Sequence, residues 1–269
     1  MTSLVDRYEG FIIDLDGVIY LLHDLIPGSA GVINHMQEAG IPFIFLTNNS
    51  SATPRMYVDR LRKHGIEIGP GNIVSPPAVI KRNLEMGWTG GREGAGGTAF
   101  VVGEEGLIRQ IEEAGLELVS GEEAKRAEYV FVGWDRNLTY EKLKTAVVAI
   151  RNGARYIATN TDATYPTPEG LWPGAGSIVA AVTCGSGREP EVAGKPNPQI
   201  VELALERMGV EARSALLVGD RLDTDIAAGL AAGVDTLLVL TGVSSALEAE
   251  ETGISPTHIR DDLGALLDP

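Results

Sequence analysis

The chain is poor in cysteine and in positive charge, and it has no long apolar run. Its 269 residues include one cysteine, Cys184, so no disulfide can form within the chain, and a reducing compartment is indicated. Lysine and arginine number 22 against 37 aspartates and glutamates, which gives a net charge of −15. This charge disfavours a nucleic acid bound through basic patches, and it equally disfavours an anionic membrane surface.

Membrane insertion and secretion are not indicated either. No apolar run approaches the roughly 20 residues that a membrane-spanning helix needs. The first residues, Met1 to Asp6, lack the basic start and the apolar core of a signal peptide. We therefore expect a soluble protein of the cytoplasm, with no nucleic-acid partner and no membrane partner.

Short apolar runs alternate with stretches that have helical spacing. The runs at 11–15, 41–46, 215–219 and 236–240 predict buried strands. Such alternation is typical of a parallel sheet with helices on both faces. The expected fold class is therefore α/β, with a Rossmann-like parallel-sheet core and a second, inserted α/β domain.

Glycine clusters suggest where the chain divides. Residues 87–97 read GWTGGREGAGG, which has no apolar period and predicts a linker or loose loop. Three further alternations of strand and helix follow, and they form a block of about a hundred residues, a usual domain size. We expect a discontinuous core domain of residues 1–86 and 185–269, interrupted by an inserted cap domain of residues 87–184.

Two acids follow the first strand. Asp14 and Asp16 come two positions apart after the apolar run Phe11–Ile13, and Gly17 then permits a turn. A period of two points both carboxylates to the same side of a strand, where they repel each other unless a cation lies between them. A magnesium ion bound through oxygen ligands would make the pair favourable. The pair alone is equally consistent with an acidic turn.

Three further element ends carry polar residues of related chemistry. Thr47 follows the second strand of the core, and Lys195 precedes the start of a helix, which is a favourable place for an anion. Asp220 follows a buried strand, and Asp225 enters the next helix. Ligands of open parallel sheets collect at the carboxyl ends of the strands, so we expect these side chains to lie close together.

Each of these residues also has a purely structural explanation. Thr47 can begin a turn, Lys195 can be a surface lysine, and the acids between 220 and 225 can complement a helix dipole. The four groups nevertheless occur together, each at the end of an element. This combination indicates a catalytic site.

The order of these groups resembles the haloacid dehalogenase superfamily of phosphotransferases. The stretches similar to its four motifs are Asp14-Leu15-Asp16-Gly17, Leu46-Thr47-Asn48-Asn49, Gly194-Lys195-Pro196, and Gly219-Asp220 with Asp225. The resemblance covers essentially the whole chain. The insertion between the second and third motifs looks like the α/β (type C2) cap of the 4-nitrophenylphosphatase group, which includes phosphoglycolate and pyridoxal phosphate phosphatases.

The resemblance implies a magnesium-dependent phosphatase that acts on a small-molecule phosphate monoester. Asp14 would be the nucleophile that forms an aspartyl-phosphate, and Asp16 would be the general acid and base. Magnesium would be held by Asp14, by the backbone carbonyl of Asp16 and by Asp220.

The remaining motif residues would bind and orient. Thr47, Asn48 and Lys195 would hold the oxygens of the transferring phosphate. Asp225 and Asp223 would be acids that orient Lys195 or a metal-bound water.

The cap would close over the site and select the leaving group. Its loop 160–176 contains Asp162, Tyr165 and Trp172, which are the candidates for substrate contact, because a loop this long is more often functional than decorative. Packing of a domain interface explains the two aromatic side chains equally well. The family often forms homodimers through the cap, and the sequence leaves this state open.

Other functions share part of this pattern. A phosphotransferase or phosphomutase has the same core residues, and only the cap type speaks against it. A phospho-accepting receiver-like signalling module uses aspartate, hydroxyl, lysine and magnesium on a parallel sheet, but it needs neither a cap nor an acid such as Asp16. A dehalogenase needs neither Asp16 nor a metal. The sequence does not choose among phosphoglycolate, a sugar phosphate, a nucleotide and a cofactor phosphate as substrate.

Overall fold

The computed structural model describes residues 3–21, 24–87, 96–167 and 169–268. The strands are β1 (Gly10–Asp14), β2 (Tyr20–Leu21), β3 (Asp24–Leu25), β4 (Phe43–Leu46), β5 (Ile73–Val74), β6 (Thr98–Val102), β7 (Glu117–Leu118), β8 (Tyr129–Val132), β9 (Arg155–Ala158), β10 (Thr164–Thr167), β11 (Gly170–Pro173), β12 (Glu191–Val192), β13 (Ala215–Gly219), β14 (Asp235–Val239) and β15 (His258–Arg260). The α-helices are α1 (Ser29–Glu38), α2 (Pro54–Arg62), α3 (Pro76–Glu85), α4 (Glu105–Glu113), α5 (Gly121–Ala124), α6 (Tyr140–Arg151), α7 (Ala175–Ser186), α8 (Gln199–Met208), α9 (Ala227–Ala231) and α10 (Ala246–Thr252). None of the helices in these ranges is both long and apolar enough to cross a membrane.

The chain divides into two compact units. Among the described residues, the first unit contains those up to Thr47, Pro54–Val74 and those from Lys195 onward, and the second contains Asn48–Thr53 and Ser75–Gly194. Helix α3 groups with the second unit, where it packs against α4. The domain ranges expected from the sequence differ from this division at 48–53, 75–86 and 185–194, and they stay a prediction. Most of the glycine cluster, 88–95, lies outside the described residues.

The first unit is built on a six-stranded parallel sheet. Its strand order is β15-β14-β13-β1-β4-β5. The central strands β1, β4 and β13 are buried along their whole length, which is why they read as continuous apolar runs in the sequence. The predicted α/β class with a parallel-sheet core is confirmed.

The second unit contains a five-stranded parallel sheet. Its strand order is β12-β9-β8-β6-β7, and its apolar core joins side chains of this sheet to helices α6 and α7. The loop predicted over 160–176 is partly wrong, because it contains the antiparallel pair β10 and β11. These two strands are short, and β11 is exposed throughout, so they lack the apolar run by which the other strands were recognised.

Two short strands follow β1. Strands β2 and β3 pair antiparallel. Gly28 holds the N-cap position of α1 with φ 86°, and Ser29 is the first helical residue. The buried Ser29 hydroxyl donates to the carbonyl oxygens of Ile19 and Ile26, at 3.0 and 2.8 Å, and so ties the hairpin to the start of α1.

Candidate active site

Strand register brings the predicted motif ends of the first unit to one edge of its sheet. Asp14, the last residue of β1, lies level with Leu46 of β4, and Ile13 lies level with Val218 of β13. Thr47 and Asp220 therefore follow their strands at the same edge as Asp14. Thr47 is buried, and its backbone N–H donates to the carbonyl oxygen of Val74 at 3.0 Å.

Lys195 lies between two carboxylates. Its Nζ donates to Asp14 Oδ1 at 2.6 Å and to Asp225 Oδ1 at 2.5 Å, and all three side chains are buried. The other oxygen of Asp225 accepts from the backbone N–H of Arg221 at 3.1 Å. A Cβ at Gly219 would lie 2.2 Å from the Asp225 Cβ, so glycine is needed for this close approach.

Burial and charge act against each other in this cluster. Burial disfavours the charged form of Lys195, but the carboxylates of Asp14 and Asp225 outweigh it and raise the pKa of the ammonium group. Burial raises the pKa of Asp14 well above its usual value, and the negative charges of Asp225 and Asp220 add to this effect against the opposing charge of Lys195. One ammonium therefore faces three carboxylates, and a further cation would be favourable here.

Asp220 has a buried oxygen that is available for such a cation. Its Oδ2 accepts from the backbone N–H of Val243 at 2.8 Å, whereas its Oδ1 is buried and has no hydrogen-bond partner among the described residues. Gly17, with φ 88°, and Gly242 both lie so close that a Cβ would come within 2.4 and 1.9 Å of Oδ2. Burial, followed by the charge of Asp225, raises the pKa of Asp220 to about 7.

The donor set of the cluster suits a hard divalent cation. One carboxylate oxygen from each of Asp14, Asp220 and Asp225 lies within 4.8 Å of the others. All of these donors are oxygens, which magnesium prefers, and an unpartnered buried carboxylate oxygen is costly unless a ligand satisfies it. The residues present therefore fit the predicted magnesium ion.

Asp16 lies outside this carboxylate group. Strand β1 ends at Asp14, so Asp16 lies beyond the strand and the two-residue alternation expected from the sequence does not apply to it. The Asp16 side chain is half-buried. Asp16 instead forms an isolated β-bridge with Tyr20, and the next N–H, that of Gly17, donates to the carbonyl oxygen of Tyr20 at 2.8 Å. The turn after β1 thus orients Asp16.

The structure does not bring Asp223 into the cluster. Its carboxylate pairs with the guanidinium of Arg221 at 3.1 Å, and 67% of its side chain is exposed. The expectation that Asp223 orients Lys195 gains no contact from this arrangement and stays a prediction. Asp225 does contact Lys195.

In the second unit, amide groups join the segment after Thr47 to the predicted substrate loop. Asn160 Nδ2 donates to the backbone oxygen of Asn48 at 2.8 Å, and Asn160 Oδ1 accepts from the N–H of Asp162 at 3.1 Å. Asn48 Nδ2 in turn donates to Asp162 Oδ2 at 3.2 Å. Asn48 and Asn160 are both buried. We call these three residues the amide network.

The two candidate aromatic residues lie on the β10–β11 pair. Tyr165 is opposite Trp172 in the register, and its ring packs on Trp134 with centroids 4.4 Å apart. The Trp134 indole donates to the carbonyl oxygen of Pro173 at 3.0 Å, and the Arg136 guanidinium carbon lies 5.2 Å from the centroid of its ring. Tyr165 therefore has a packing role, whereas Trp172 keeps 37% of its surface exposed.

Sequence reasoning missed several residues of these sites. Asn160 and Trp134 each follow a strand of the second parallel sheet. Ligands collect at the carboxyl ends of parallel strands, and this rule, which pointed to Asp14 in the core, also points to these two residues when it is applied to the inserted block. Gly242 and Val243 follow β14 at the edge where Asp220 lies, and the same rule points to them.

Comparisons with known proteins agree with this geometry. The model of the haloacid dehalogenase-like hydrolase family matches residues 11–117, and a second, HAD-hydrolase-like model matches residues 192–266. The acid sugar phosphatase of Staphylococcus haemolyticus is 36% identical over 261 residues, which are 97% of this chain and 96% of the relative.

Solved structures match over a similar span. The p-nitrophenyl phosphatase from Archaeoglobus fulgidus has a TM-score of 0.88 at 36% identity, covering 97% of this chain and 99% of the other. A glycerol phosphate phosphatase from Mycobacterium tuberculosis, in complex with magnesium, has a TM-score of 0.89 at 34% identity, covering 99% of this chain and 78% of the other. Because such matches extend over nearly its whole length, the chain belongs to the haloacid dehalogenase-like hydrolases, among the phosphatases of the 4-nitrophenylphosphatase-like group.

Proposed function

We propose that this protein is a magnesium-dependent phosphatase that hydrolyses a small-molecule phosphate monoester through an aspartyl-phosphate on Asp14. The observation that carries the proposal is the buried cluster in which Lys195 contacts Asp14 and Asp225 while Asp220 keeps an unpartnered oxygen. A purely structural ion pair would not need the additional buried carboxylate. The magnesium complex of the mycobacterial relative supports the choice of metal.

Magnesium would be held by Asp14, the backbone carbonyl of Asp16 and Asp220, and when bound it would offset the repulsion between a carboxylate nucleophile and a phosphate dianion. Lys195 fixes Asp14 through Oδ1 and carries its positive charge beside the attacking carboxylate. Asp225, held by the N–H of Arg221, positions Lys195. Thr47 and Asn48 are assigned to the transferring phosphate oxygens, together with Lys195.

Proton transfer is assigned to Asp16. In the first step, an Asp14 oxygen bonds to phosphorus, the bond from phosphorus to the ester oxygen breaks, and Asp16 gives its proton to the leaving alkoxide. In the second step, water attacks the phosphorus of the aspartyl-phosphate and gives a proton to Asp16. The bond from phosphorus to the Asp14 oxygen breaks, which releases inorganic phosphate and leaves Asp14 as a carboxylate. The products are an alcohol and inorganic phosphate, and both aspartates return to their starting forms.

Substrate selection is assigned to the loop that carries Asp162, Tyr165 and Trp172. Trp172 is more exposed than the rings of Tyr165 and Trp134, so it is the better candidate for contact, while Tyr165 supports it by packing on Trp134. The names of the matched relatives point to sugar phosphates and glycerol phosphate as the first substrates to test. They also favour a phosphatase over the phosphomutase and receiver-like alternatives.

The direct test measures inorganic phosphate released from 4-nitrophenyl phosphate and from a panel of phosphorylated metabolites, with magnesium and with a chelator. We expect turnover that needs magnesium and falls to background in Asp14→Asn. Asp59→Asn changes an exposed acid of α2 and serves as the matched control that keeps full activity. Failure of the wild-type protein to release phosphate, or equal rates in Asp14→Asn, would contradict the proposal.

A further inference from the structure

The Arg60 guanidinium lies close to two tyrosine rings, one of which belongs to Tyr20 in the turn that carries Asp16. Tyr57 and Arg60 are three positions apart on α2 and therefore share a face of the helix. The guanidinium carbon of Arg60 lies 5.5 Å from the centroid of the Tyr57 ring and 5.6 Å from that of the Tyr20 ring. Both distances are within the range of cation–π attraction, which is stronger where water is excluded. Both tyrosines are buried, and Arg60 is half-buried.

Tyr20 connects this contact to Asp16 through the backbone. Its N–H donates to the carbonyl oxygen of Leu15 at 3.2 Å, its carbonyl oxygen accepts from Gly17, and it forms the β-bridge with Asp16. The position of Tyr20 therefore fixes the residues on both sides of Asp16.

We propose that Arg60 is a positioning residue for proton transfer: by holding Tyr20 against Tyr57, it fixes the turn that carries Asp16. The inference rests on the proposed role of Asp16 as general acid. Arg60 acts through Tyr20 and is assigned no contact with the substrate. Arg62, on the same helix, has no such arrangement, because it is mostly exposed and pairs with Asp59 and Glu67.

A displaced general acid affects esters according to their leaving groups. The 4-nitrophenolate ion leaves readily without a proton, whereas phenolate is more basic and gains more from protonation in the transition state. Phenyl phosphate and 4-nitrophenyl phosphate have nearly the same shape, so a general loss of folding or of phosphate binding lowers kcat/KM for both alike. A defect in proton donation, in contrast, lowers kcat/KM for phenyl phosphate more than it lowers kcat/KM for 4-nitrophenyl phosphate.

The experiment compares kcat/KM for these two esters in Arg60→Met, Arg60→Lys and the matched control Arg62→Met. For Arg60→Met we expect a loss of about tenfold or more with phenyl phosphate and of less than about threefold with 4-nitrophenyl phosphate, a part of the 10²–10⁴ that a general acid contributes. Arg60→Lys keeps the charge without the planar group, so it should show a smaller loss with the same selectivity. Asp16→Asn should show this selectivity most strongly, and Arg62→Met should match the wild type.

Equal losses for the two esters in Arg60→Met, or no loss for either, would overturn the proposal. Thermal unfolding and magnesium binding are measured on each variant, and if Arg60→Met does not fold, the same two-ester comparison in Arg60→Lys decides. Failure of the proposed phosphatase function would be seen separately, because the wild-type protein would then hydrolyse neither ester.

Discussion

Two groups of buried side chains, one in each unit, are held by different forces: the Lys195 cluster (Lys195, Asp14, Asp220 and Asp225) in the first unit and the amide network in the second. In the first, one ammonium is shared by Asp14 and Asp225, with Asp220 close by. In the second, neutral amides make most of the bonds, and the carboxylate of Asp162 is only partly buried. A buried charge without its partner is far more costly than an unmade neutral hydrogen bond. Mutations in the Lys195 cluster should therefore change the stability of the protein more than mutations in the amide network, and their effects should depend more on bound metal.

Removal of the shared ammonium should have the largest effect. Lys195→Met leaves two buried carboxylates without their cation, and breaking a buried pair in this way costs about 3–5 kcal/mol of unfolding free energy. Urea unfolding in the presence of a chelator measures this, and activity should be lost as well. Lys144→Met is the matched control, because it breaks only a surface pair with Glu141 and should cost far less stability.

Similar losses of unfolding free energy in Lys195→Met and Lys144→Met would contradict the expected sensitivity of the Lys195 cluster. That result would mean that the buried carboxylates are neutral in the metal-free protein and gain little from Lys195.

Loss of one amide should have an intermediate effect. Asn160→Ala removes the hydrogen bonds that Asn160 makes to the backbone oxygen of Asn48 and to the N–H of Asp162, which costs about 2 kcal/mol. Because the lost bonds are made by a neutral amide, magnesium should not change this cost. Asn152→Ala removes an exposed amide that donates to the backbone oxygen of Lys125, and it should cost clearly less.

Urea unfolding of both asparagine variants, with magnesium and with a chelator, checks this prediction. A cost for Asn160→Ala that depends strongly on magnesium would show that the amide network and the Lys195 cluster are not energetically separate.

The sequence predicts more of the Lys195 cluster than of the amide network, and the reason is physical. Asp14, Thr47 and Asp220 each lie at the end of a buried apolar strand, and parallel register then places them at one edge without further information. The amide network depends instead on a contact between residues 112 positions apart, and no local pattern encodes that contact. The pairing of Arg60 with Tyr20 is of the same kind.

Local signals also misled where they were weak. The β10–β11 pair was predicted as loop because prolines and glycines interrupt its sequence and leave it without a continuous apolar run. Helix α10 was not predicted, although Ser245 and Glu248 form a capping box that marks its start. Asp223 and Asp225 look alike in the sequence, and only the π-helical turn Leu222–Ile226 separates the exposed acid from the buried one.

The smallest of the expected effects on stability, and the one with the opposite sign, belongs to Asp220→Asn. The folded metal-free protein raises the pKa of Asp220 from 3.8 to about 7, because burial and the charge of Asp225 disfavour the carboxylate. The charged group therefore costs stability, by an amount that grows as the pH rises from about 4 to about 7 and is complete above it. Asparagine carries no such charge, so in a chelator at pH 8 the variant should be more stable than the wild type, by about 1–2 kcal/mol, because the new amide also lacks partners.

The advantage should shrink as the pH is lowered to 5. Magnesium should reverse the order of stability, since it binds the native wild-type protein more tightly than the variant, and tighter binding to the native state raises stability more. Urea unfolding of Asp220→Asn and of the wild type at the two pH values, with magnesium and with a chelator, compares their stabilities under all four conditions. A variant that is less stable than the wild type in the chelator at pH 8 would mean that Asp220 is held by hydrogen bonds rather than kept for a cation, and the contrast between the two regions would then lose its basis.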